Sequence, residues 1–141
     1  MRSKNFPRCG EIWLASPEHS GGCHEYKGLH LYLIVSNNKF NVMSGMVNAI
    51  PFSSKRFNRP SPAHVNFAAG SGGLRMDCTL MCENEVSLSN SDLIRRVGML
   101  DEDQMARVAY SVVMQKPIFA FALKDKVKEN KEYKDLVNFC A

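Results

Sequence analysis

Residues 23–30 crowd together side chains that can carry or move protons: Cys23, His24, Glu25, Tyr26, Lys27 and His30. Histidine titrates close to neutral pH, so His24 and His30 can each serve there as base or acid. Further along, Ser53 can donate a hydrogen bond, and Glu83 can act as a base or orient a histidine. Such a set is sufficient to cut RNA without a metal. A base takes the proton of a ribose 2′-OH, the oxygen attacks the neighbouring phosphate, and an acid protonates the departing 5′-oxygen. Cations or hydrogen-bond donors must then hold the charge that builds on the phosphate. Lys27, Lys55, Arg56 and Arg59 can supply cations from loop sequence.

Binding of a strand is a separate question from cutting it. In residues 53–67, SSKRFNRPSPAHVNF, Lys55, Arg56 and Arg59 surround Phe57 and precede Phe67. Cations for phosphates and aromatic faces for bases are the combination that grips single-stranded RNA. A solvated turn with three basic residues has the same composition. The cysteines allow a metal reading as well. Cys78 and Cys82 are spaced to share one face of a strand, with Cys23 and His24 as further ligands. There is no CxxC pair, and both sit in apolar sequence, which points to small core residues and no metal.

These residues need a scaffold. The chain has 141 residues, five cysteines and a net charge of +4. That length suits one domain with a real core. An odd cysteine count without a framework fits a reduced, cytoplasmic setting. No apolar run approaches the roughly 20 residues needed to span a bilayer, and the N-terminus lacks a secretory signal pattern. The mild positive charge permits a nucleic-acid partner without demanding one.

Short strands are predicted at residues 11–16, 29–37, 45–52 and 94–100 and a strand or hairpin arm at 77–88, with residues 37–41 and 53–75 as irregular connections. Residues 1–9 read as a loose basic tail. The period then changes. Asp101 and Gln104 have capping-box spacing, and Met105, Val108, Ala109, Val112 and Val113 form one helical stripe that Pro117 ends. Residues 121–139 mix Lys with Glu and Asp at helical spacing, as a solvated or partner-docking second helix. The expected class is therefore mainly β with a C-terminal helix, a small curved barrel over residues 1–116, and a charged extension over 117–141.

Taken in order, the motifs resemble a known family. CGEIWLASPEHSGGCHEYKGLHLYLIVSNNKFN resembles the opening of the MazF/PemK/Kid toxins of bacterial toxin–antitoxin pairs. IPFSS, DCTLMCEN and SDLIRRVGMLDEDQMARV resemble its later strands and final helix, so the likeness covers roughly residues 9–116. The resemblance implies an SH3-like barrel of the CcdB/MazF/PemK type, a homodimer, and a metal-independent endoribonuclease without cofactor. It also implies single-stranded mRNA as substrate and a cognate antitoxin as partner. His24 and Glu25 match the family's loop His-Glu, Ser53 its catalytic Thr/Ser, and Glu83 its strand carboxylate. His30 stands where the family has the arginine of Gly-x-Arg-Pro, and Leu31 where it has the proline. Asn84, Val86 and Met81 replace a usual Gln, a common basic residue and the arginine of Kid-like members. Two alternatives follow from these departures and from the shared fold. One is a weakened or silent homologue that binds RNA or an antitoxin-like partner. The other is a CcdB-like inhibitor of a protein such as gyrase.

Overall fold

The computed structural model describes residues 6–17, 28–55 and 60–121. The first strand, β1 (Glu11–Ala15), is followed by β2 (His30–Ile34), helix α1 (Asn38–Ser44) and β3 (Met46–Ser53). Then come β4 (His64–Phe67), β5 (Cys78–Met81), β6 (Val86–Ser89), β7 (Leu93–Met99) and helix α2 (Glu102–Gln115). The seven strands form one sheet in the order β4-β5-β3-β2-β1-β7, with β6 also on β3. Every pairing is antiparallel. The sheet is not closed into a barrel, because β4 and β7 end the hydrogen-bonded path. What completes the curl is a 3-10 turn at Ser71–Gly73, which packs on β7.

That packing is backbone on backbone. A Cβ on Gly98 would lie 1.8 Å from the carbonyl oxygen of Gly72. Only glycine lets the two segments meet so closely. Inside the curl lies the larger core, with Ile12, Leu33, Ile50, Phe67 and Leu80 at its centre. A smaller cluster around Tyr32, Ile34 and Leu88 covers the opposite face. The alternation of side chains along β2 explains the division: Leu33 points one way, Tyr32 and Ile34 the other.

Helix α2 begins at the predicted cap. Asp101 accepts from the Gln104 amide at 2.8 Å, and the Gln104 side chain accepts from the Asp101 amide at 2.9 Å. Its core face differs from the predicted stripe. Val108 is buried with Met105 and Val112 beside it, whereas Ala109 is exposed and Ser111 is buried. Ser111 belongs there because its hydroxyl donates to the Pro62 carbonyl at 2.7 Å. Helical backbone resumes at residues 118–121. The predicted charged helix otherwise lies outside the described residues.

Residues 37–41 are not a loop. Asn37 caps α1 by accepting from Lys39 N at 2.9 Å, and Gly45 ends the helix at φ 69°. Buried Asn41 donates to the Pro7 carbonyl at 3.0 Å, and Asn38 accepts from Cys9 N at 2.7 Å. Residues 6–9 are thereby fastened to α1 instead of forming a loose tail. The supposed irregular stretch 53–75 contains β4, and the strand or hairpin arm expected over 77–88 is two strands, β5 and β6, with a turn between. β3 pairs with both along one edge, and Pro51 falls between the two pairing stretches.

Candidate nucleic-acid groove

β1 and β2 pair out to Ala15–His30, which sets His30 at the mouth of the sheet. Beside it runs a groove of about 820 Å³. His30, Ser53 and Lys55 line it from one side, Arg75 and Arg95 also line it, and Leu31, Phe52 and Val97 give it an apolar floor. The Lys55 amide donates to the Ser53 hydroxyl at 3.3 Å, which orients that oxygen and leaves its proton to give. His30 is half-buried, and its ring meets the Tyr32 ring edge-on at 6.5 Å. Among the described residues no carboxylate lines the groove.

Arg95 and Arg96 are neighbours with opposite environments, as strand alternation requires. Arg96 sits on the other face of β7, where its Nε pairs with Glu11 Oε2 at 2.7 Å. Glu11 is buried, and its second oxygen accepts from Arg8 N at 2.6 Å and Trp13 Nε1 at 3.3 Å. That cluster neutralises Arg96. Arg95 faces the groove, and among the described residues no acid pairs with it or with Arg75. Neither arginine stood out in the sequence. The doublet in an alternating strand was the available signal for Arg95, and the glycines before Arg75 were the signal for a close backbone approach.

The other predicted site residues divide into two groups. Glu83 is not brought to the groove lining. Its carboxylate meets His64 Nε2 at 2.8 Å in the turn after β5. His24, Glu25, Lys27, Arg56, Phe57 and Arg59 lie outside the described residues. Phe67 is buried, with the Arg107 guanidinium 5.2 Å above its ring, so its face is covered. Cys78 and Cys82 are buried core residues. Burial pushes the Cys82 thiol up to about 11; the Ser111 hydrogen bond opposes that rise, Glu83 adds to it, and Lys116 also opposes it.

The family described as "PemK-like, MazF-like toxin of type II toxin-antitoxin system" matches residues 8–115. The chain belongs to this toxin family. No curated protein sequence matches it. Among solved structures it is similar to an endoribonuclease in complex with its cognate antitoxin from Mycobacterial species, at TM-score 0.62 and 20% identity. That likeness covers 76% of this chain and 91% of the other. It is similar to MazF from Deinococcus radiodurans at TM-score 0.62 and 20% identity, over 76% of this chain and 93% of that one. The Mycobacterium tuberculosis toxin MazF-mt6 follows at TM-score 0.60 and 20% identity, over 72% and 91% of the two chains. At these identities the likeness is one of fold. The side chains that line the groove are this chain's own. No helix among the described residues is long and apolar enough to cross a membrane.

Proposed function

We propose that this toxin is a metal-independent, sequence-specific endoribonuclease that cuts single-stranded mRNA, works as a homodimer and is held in check by a cognate antitoxin. One observation carries the reading: a groove that combines His30 and Ser53 with cations and, among the described residues, holds no carboxylate to repel a phosphate backbone. The family membership and the antitoxin-bound endoribonuclease among its structural relatives support the same assignment.

The chemistry balances without a metal. The 2′-oxygen forms a bond to phosphorus as its proton passes to a base. The bond from phosphorus to the 5′-oxygen breaks as that oxygen gains a proton from an acid. His30 provides one of these groups. The other is assigned to the segment holding His24 and Glu25. Ser53 donates a hydrogen bond from its hydroxyl to a non-bridging phosphate oxygen, and Lys55 balances charge. The products are a 2′,3′-cyclic phosphate and a 5′-hydroxyl.

The test is to incubate the purified protein, with EDTA present, with a long unstructured RNA containing all short sequence combinations, and to map the new ends. Discrete cuts with 5′-hydroxyl termini support the reading and give the recognition sequence. An intact RNA with the protein folded and dimeric sinks it. A second reading has its own support. His30 stands where the family arginine would be, and Glu83 is engaged by His64. A silent homologue with these features binds RNA or an antitoxin-like peptide and cuts nothing.

A further inference from the structure

We infer that Arg75 and Arg95, which line the same groove as His30 and Ser53, form a two-arginine clamp on the scissile phosphate of the RNA strand. The inference rests on the groove being an RNA site and adds the residues that grip the backbone there.

The two arginines reach the groove from different segments. Arg95 extends from β7, and Arg75 from the connection between the Ser71–Gly73 turn and β5. Backbone contacts fix these segments against each other. A Cβ on Gly73 would stand 2.8 Å from the Val97 carbonyl, and one on Gly98 would collide with Gly72. The points on the backbone from which the two side chains project are therefore fixed by main-chain contact.

Both guanidinium groups are available for an anion. The acid nearest Arg75 in sequence, Asp77, accepts from the Ala69 amide at 2.8 Å. Arg96 is held by Glu11, and Arg107 covers Phe67 while donating to the Asn66 carbonyl at 3.1 Å. These neighbours have structural work, and Arg75 and Arg95 have none among the described residues. Arginine keeps its charge at all relevant pH values and presents a planar fork that fits phosphate oxygens. An imidazole at position 30 lacks that fork, but it can move a proton.

The probe is a short mixed-sequence oligonucleotide of 2′-O-methyl RNA, which cannot be cut. Its affinity is followed by fluorescence anisotropy across a KCl series for the wild type, Arg75→Gln, Arg95→Gln and the control Lys39→Gln. Lys39 is an exposed α1 residue outside the groove. Each groove variant is expected to weaken binding roughly 10-fold or more at low salt. Each should also reduce the slope of log affinity against log salt by about 0.7, the value for one phosphate contact on a single strand. Lys39→Gln should match the wild type. Arg75→Lys and Arg95→Lys, which keep the charge and lose the fork, should retain affinity within a few-fold and lose kcat. Groove variants that behave like Lys39→Gln while the wild type cuts RNA overturn the clamp and leave the endoribonuclease reading intact. A wild type that cuts nothing, with salt slopes that fall as stated, overturns cleavage and keeps the clamp as a backbone grip. A wild type that neither cuts nor binds overturns both.

Discussion

Replacing Gly98 with alanine probes the contact that completes the curl. The new Cβ would sit 1.8 Å from the Gly72 oxygen, 2.7 Å from the Gly72 carbonyl carbon and 3.3 Å from Gly73 Cα. Real Cβ–oxygen contacts lie above about 3 Å, so the 3-10 turn and β7 must part by more than an ångström. No flexible side chain can absorb that shift, because both partners are backbone. Leu74 and Leu100, each nearly buried, lose packing as the gap opens. The expected cost is about 3 kcal/mol, at the upper end for overpacking because the main chain itself must move. For a domain of this size that is a fall in Tm of about 10 °C. The comparison is Gly45→Ala. Gly45 has φ 69° and nothing within 4 Å of an added Cβ, so alanine there costs only backbone strain, about 1 kcal/mol. Thermal and urea unfolding followed by circular dichroism give both values. If Gly98→Ala is no less stable than Gly45→Ala, the close approach of β7 to the turn is not what holds the sheet curled.

Further perturbations separate site from scaffold. His30→Ala should lower kcat on the order of 100-fold, as loss of a proton-transfer group does, while uncleavable RNA still binds within several-fold; equal cleavage rates in single-turnover assays would remove His30 from the mechanism. Arg96→Gln leaves the buried Glu11 carboxylate short of its cation and should cost about 1–2 kcal/mol in urea unfolding, discounted because the Arg96 side chain is 50% exposed. RNA affinity should hardly change in that variant, and a groove-like loss of the salt slope would contradict the assignment of Arg96 to the other face. For Cys82, the folded thiol at about 11 lies above its ordinary value of 9.0. A raised value means the contribution is fully present below pH 9 and is lost as pH climbs towards 11, up to about 2–3 kcal/mol. The stability of Cys82→Ala should therefore fall less steeply than that of the wild type between those pH values, and parallel curves would refute the burial argument.

The elements with a strong local pattern were legible in the sequence. β1, β2, β3 and β7 showed as apolar or alternating runs, and α2 announced itself through the Asp101–Gln104 box. What stayed hidden depended on partners far along the chain. α1 looked like polar loop because its asparagines are spent on capping and on holding residues 6–9, not on an apolar stripe. β4 is only four residues long and acquires its identity by pairing with β5. The sheet's open ends are bridged by backbone contacts between glycines, which no hydrophobic period records. In the groove, His30 and Ser53 could be picked out by residue type. Arg75 and Arg95 could not, because what distinguishes them from Arg96 and Arg107 is the presence or absence of a tertiary partner.

The pairing of β1 with β7 joins Glu11 to Met99, nearly the whole sheet apart in sequence. During synthesis, the first strand must therefore wait for the last one before its outer edge is covered. Arg95 arrives on that same closing strand. A chain halted on the ribosome before β7 has emerged carries His30, Ser53 and Arg75 but lacks the Arg95 and Val97 part of the lining. The order of strands thus works as a delay, tying the completion of the groove to the completion of the sheet that bears it.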